Sequence, residues 1–127
     1  MSSPVNDPDL LAFIRGSVRS VWALELLLLM RNRRDRSWTA EELVHELRAS
    51  MPLVGDVLST FEAAGLVKRV DGERYAYAPA SAALERYCDT LDQAYRERPV
   101  SVVNAIVTAP NDKLQNFADA FRLKRGE

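Results

Sequence analysis

The chain has 127 residues, 47% hydrophobic and 28% charged, which suits one soluble domain with a single core rather than a disordered chain or a membrane protein. Its 17 Lys and Arg stand against 18 Asp and Glu, a net charge of −1, so any attraction to a polyanion must come from local placement of charge. The longest apolar run, 26–30, is far shorter than the roughly 20 residues that cross a bilayer.

Residues 2–8 hold two prolines, an asparagine and serines, and read as a short arm. Leu10, Leu11, Phe13 and Ile14 predict a short helix ending near Gly16. Ser17 is the expected cap of a second helix over 18–32, where Val21, Trp22, Leu24 and the run 26–30 wrap nearly all sides. Such a helix belongs inside a core. Its end carries Arg31, Arg33, Arg34 and Arg36, read as surface cations that complement the helix dipole. Ser37 and Trp38 suggest a very short strand.

Thr39 followed by Glu42 is a capping box opening an amphipathic helix with Leu43, Val44 and Leu47 inward. Ser50 caps the next helix, 51–64, whose buried stripe is Val54, Val57, Leu58 and Phe61, and Gly65 stops it. Residues 66–70 and 74–78 flank Asp71-Gly72-Glu73 and predict a β-hairpin. A helix follows over 81–98 with Leu84, Tyr87, Cys88, Leu91 and Tyr95 on one face, broken by Pro99. Residues 100–107 suit a strand or a buried helix, and are read as helix because helices flank them. Asn111 or Asp112 caps a last helix bearing Leu114, Phe117, Ala118 and Phe121.

The predicted order is helix, tiny strand, helix, helix, hairpin and further helices: a mainly α (α+β) winged helix-turn-helix with a two-stranded wing and additional C-terminal helices. The expected organisation is an N-terminal arm and short helix over 1–16, the winged motif over 17–80, and C-terminal packing or dimerisation helices over 81–127 within the same domain. The span TAEELVHELRASMPLVGDVLSTFEAAGLVKRVDGERYAYAP resembles winged-helix regulators of the broad MarR, ArsR and PadR type. The resemblance covers about residues 18–80. It implies a DNA-binding transcriptional regulator in which the 51–64 helix enters the major groove and the hairpin touches the backbone.

Under that resemblance the DNA-contacting residues are Arg48, Ser50, Ser59, Thr60, Lys68, Arg69 and Arg74, with Lys68, Arg69 and Arg74 flanking the hairpin tip. The outward set of the 51–64 helix is Met51, Pro52, Gly55, Asp56, Ser59, Thr60 and Glu62. It contains no Lys, Arg, Asn or Gln, the residues that make the strongest base-reading pairs. This opens the alternative of a winged-helix protein-protein interaction module without sequence-specific DNA binding.

The N-terminus lacks a basic stretch ahead of an apolar one, so a cytoplasmic protein without a membrane segment is expected. Cys88 is the single cysteine and reads as a small core residue, and His45 has no Cys or second His at ligand spacing. No metal, cofactor or catalytic residue is expected, since phosphate loops and nucleophile motifs are missing. The apolar stripes of the C-terminal helices either fold back on the long apolar helix, giving a monomer, or pair two copies; the favoured expectation is a homodimer of two-fold symmetry on double-stranded DNA, and the 51–64 surface allows a protein partner instead.

Overall fold

Asp7 opens the first helix, α1 (Pro8–Ser17), by accepting the Asp9 N–H on its carboxylate at 2.9 Å. The computed structural model describes residues 7–108. The helix expected from Asn111 or Asp112, with Leu114, Phe117, Ala118 and Phe121, lies outside them. α2 (Val21–Asn32) is capped by Ser20, whose Oγ accepts the Ala23 N–H at 3.0 Å. The expected cap Ser17 is instead the last residue of α1, so α2 begins three residues later than the sequence suggests.

Trp22, in the first turn of α2, lies outside the core. Ala23, Leu24, Leu26, Leu27, Leu28 and Met30 fill the buried sides of α2, and Trp22 lies 43% exposed on the remaining side. The expectation that Trp22 is a core residue is therefore corrected. An N-terminal turn has fewer neighbours to cover it than the middle of the helix, so apolar character alone does not bury it.

β1 (Trp38–Thr39) leads into α3 (Ala40–Leu47), where both halves of the capping box form. Thr39 Oγ1 accepts the Glu42 N–H at 3.1 Å, and Glu42 Oε1 accepts the Thr39 N–H at 2.9 Å. α4 (Met51–Ala64) starts at the Ser50 cap and ends at Gly65, whose φ of 79° is left-handed. A side chain at Gly65 would place its Cβ 3.1 Å from that of Ala80, so both the backbone and the close approach require glycine.

β2 (Val67–Arg69) and β3 (Arg74–Tyr77) form the hairpin, and β1 pairs with the other edge of β3, giving an antiparallel three-stranded sheet in the order β1-β3-β2. Gly72 takes φ 69° in the turn. The register places Trp38 beside Tyr75, Tyr75 beside Arg69, and Tyr77 beside Val67. With side chains alternating along each strand, these residues share one face, and Lys68, Ala76 and Arg74 share the other.

α5 (Ala82–Glu97) and α6 (Pro99–Thr108) complete the described chain; residues 100–107 are helical. α6 packs on α5, α1 and α2. One hydrophobic cluster runs from Leu10 through α2, Trp38, Leu43, Phe61 and Leu91 to Ile106, with Leu47 and Tyr95 half-buried at its margin. Phe13 and Tyr87 join α1 to α5, their ring centres 5.5 Å apart. The architecture is mainly helical with one small antiparallel sheet, an α+β fold. No described helix is long and apolar enough to cross a membrane.

Candidate nucleic-acid interface

The outer surface of α4 is built by the helix period. Val54, Val57, Leu58 and Phe61 turn inward, which leaves Met51, Pro52, Asp56, Ser59 and Glu62 exposed. Ser50 lies at the start of this surface, with its Oγ engaged by the Leu53 N–H at 3.3 Å. Thr60 is half-buried and donates its hydroxyl to the Asp56 carbonyl at 3.1 Å. Ser59 is exposed. Arg48, also exposed, stands in the α3–α4 turn with φ 55°, the one described non-glycine residue with positive φ.

The three basic hairpin residues fall into different surroundings. Lys68 is exposed on the outer face of β2 and meets no carboxylate among the described residues. Arg69, on the opposite face, lies over the Tyr75 ring at 5.2 Å and 3.4 Å from a Glu62 carboxylate oxygen of α4. Arg74 is turned toward the start of α3. Its Nε donates to Ser37 Oγ at 2.8 Å, and its Nη2 donates to Ser37 O at 2.8 Å and to Glu42 Oε1 at 3.2 Å. Arg74 therefore braces β1 against α3 and does not stand beside Lys68 at a free tip.

Glu42 is the centre of that brace. It accepts from the Thr39 backbone, from Arg74, and from Arg36 at 3.1 Å. The Thr39 hydrogen bond, followed by the nearby Arg74 and Arg36 charges, holds its carboxyl below the ordinary glutamate range, against the opposing effect of desolvation. Arg36 lies 3.7 Å over the Trp38 ring centre, sealing the indole face.

The arginines at the end of α2 do more than complement a dipole. Arg31 pairs with Asp89 at 2.8 Å and with Asp92 at 3.2 Å; Arg34 approaches Glu85 at 3.4 Å and covers the Tyr77 ring at 5.2 Å. Arg96 also reaches Asp92 at 3.0 Å. This cluster clips α2 to α5.

Comparison with known protein families, curated proteins and solved structures finds no match. The assignment of the surface therefore rests on its own residues.

One candidate escapes the sequence reading. Arg19 lies in the link between α1 and α2, exposed, and lines a shallow cleft with Ser17, Ser20, Asp56 and Thr60, beside the outer surface of α4. It meets no carboxylate at ion-pair distance among the described residues. Extending α2 back to residue 18 hides it, because the arginine then falls inside a helix rather than in the link that faces α4. Ser20 as an alternative cap two residues after Val18 is the signal that separates these readings.

Elsewhere, Cys88 is fully buried. Burial pushes its thiol up to about 11, which leaves it protonated and poorly nucleophilic. Tyr77 neighbours it, and burial pushes the phenol far above its ordinary range. His45 is exposed, and no metal-binding group of His, Cys, Asp and Glu occurs among the described residues.

Proposed function

We propose that the chain is a winged helix-turn-helix DNA-binding transcriptional regulator, with α3 and α4 as the helix-turn-helix and β2–β3 as the wing. The supporting observation is the setting of α4: its outer surface is open, and exposed cations with no ion-pair partner among the described residues stand in the segments next to it. Arg19 comes from the α1–α2 link, Arg48 from the α3–α4 turn and Lys68 from β2. Cations so arranged suit contacts to phosphates on both sides of a groove, whereas the short polar side chains Ser59 and Thr60 reach toward bases. Arg69 is a second-line contact, released from Glu62 when a phosphate replaces the carboxylate.

The α5 stripe expected to pair two copies, Leu84, Tyr87, Leu91 and Tyr95, packs within the chain's own core, so a homodimer in this reading uses another face. α6 buries Val102 and Ile106 on one side yet exposes Val100 and Val107, 71% and 63%, on the other, an apolar face suited to a second copy. Sedimentation at micromolar concentration gives the dimer mass if that face self-associates and the monomer mass if it does not.

A specific observation supports the alternative of a protein-binding module. Asp56 and Glu62 are the charged residues on the α4 outer surface, and both repel phosphate. Titration of mixed-sequence duplex DNA with the folded protein separates the readings. Regulation through DNA requires binding that weakens as salt rises, by about 0.9 in log K per log salt for each phosphate contact. Absence of binding at low salt defeats it in favour of the protein module.

A further inference from the structure

We propose that a cavity between α2 and α3 is a receptor for an arginine side chain of a partner protein. The cavity, about 370 Å³, is lined by Val21, Trp22, Glu25, Glu46 and Leu47, and neither α4 nor the hairpin contributes to it. It presents an indole 43% exposed, an aliphatic floor and two carboxylates from different helices. Neither Glu25 nor Glu46 meets a cation at ion-pair distance among the described residues.

Glu25 is held in position. Tyr95 of α5 donates its hydroxyl to Glu25 Oε1 at 2.9 Å, and this bond to the carboxylate raises the phenol above its ordinary range. A guanidinium suits the site because it is flat enough to stack on an indole and forked enough to meet carboxylates at its edge. The same chain shows the chemistry completed elsewhere. Arg36 lies 3.7 Å over the Trp38 ring centre and 3.1 Å from Glu42. At Trp22 the indole and the carboxylates stand together, and Arg33, which lines the adjoining hollow with Glu25 and Glu46, is at ion-pair distance from neither. A second hollow, also about 370 Å³, shares Glu25, Glu46 and Leu47 and continues along α2 past Arg33 to Asp92, Tyr95 and Arg96, a mixed-charge trough in which acidic or neutral neighbours of the partner arginine fit beside Arg33 and Arg96.

The test uses the full chain labelled with 5-fluorotryptophan, whose two resonances are assigned with Trp22→Phe. Trp38, buried and already stacked, is the internal control for folding. Added N-acetyl-arginine amide should shift the Trp22 resonance saturably and leave Trp38 unmoved, while the citrulline analogue, equal in shape and uncharged, has no effect. Glu25→Gln and Glu46→Gln should each weaken the response by about threefold to tenfold. An unmoved Trp22 resonance, or an equal response to citrulline, would overturn the proposal. So would a Trp22 resonance displaced by Arg122→Ala, Lys124→Ala and Arg125→Ala before any probe is added, which assigns the cavity to the chain's own C-terminal end. None of these outcomes depends on DNA binding.

Discussion

The α2–α5 seam and the α4–hairpin surface both carry basic residues, but they use them in different ways. At the seam, Arg31, Arg34 and Arg96 meet Asp89, Asp92 and Glu85, and Asp92 is nearly buried between two guanidinium groups. Around α4, Arg19, Arg48 and Lys68 stand exposed with no acid at ion-pair distance among the described residues. Three of the four arginines in the densest run, 31–36, thus meet acids of the same chain, whereas Arg19, Arg48 and Lys68 near α4 make no ion pair among the described residues. Availability is set by which acids the fold brings near, not by local density of charge.

The strongest way to break the seam is Arg31→Met. It leaves Asp92, whose side chain is 8% exposed, with Arg96 as its remaining cation. A loss of about 2 kcal/mol is expected in urea unfolding, less than for a fully buried pair because Arg96 stays. DNA binding by the folded fraction should keep its salt slope. A loss below about 0.5 kcal/mol would mean the seam is no more than an ordinary surface cluster.

Arg74 sharpens the contrast within the hairpin. Arg74→Ala removes the hydrogen bonds to Ser37 and Glu42 and should cost about 1 kcal/mol, read as a lowered urea midpoint, with little change in the salt slope. The brace also has an acid limb. Glu42 is held below its ordinary value near 4.5, so the unfolded chain binds the proton more readily. Its contribution is fully present above that unfolded value and is lost as pH falls through the lower folded one. Glu42→Gln should flatten the fall in melting temperature on acidification below about pH 4.5. An unchanged acid limb would show that the Thr39 N–H, Arg74 and Arg36 do not together hold Glu42 below its ordinary range. Smallest in stability is Lys68→Ala, expected within about 0.5 kcal/mol of the parent in the same urea series.

Much of the architecture is legible in the sequence because several local signals agree. Thr39 with Glu42, Ser50 with Pro52, Gly65, and Asp71-Gly72 each mark a boundary that the apolar periods also demand, and α4 matches residue for residue. The start of α2 is not legible in the same way. Ser17 and Ser20 are both competent caps, and only packing against the rest of the core chooses between them, which also decides the fate of Arg19. The candidate surface is partly legible. Lys68 and Arg48 are exposed as basic residues in a turn or on an edge should be, whereas the attachment of Arg74 depends on Ser37 and Glu42, more than thirty residues away in sequence. Long-range pairing of this kind leaves no local trace.

The division between bound and available cations is tested most directly by duplex DNA titration across a salt series, comparing the parent with the Arg19→Ala, Arg48→Ala, Lys68→Ala triple variant and with Arg74→Ala. The triple variant should flatten the slope of log affinity against log salt by about 2 to 3 units, about 0.9 for each contact, while Arg74→Ala retains the parent slope. A triple variant with the parent slope, or a slope lost instead on replacing Arg74, would contradict the account.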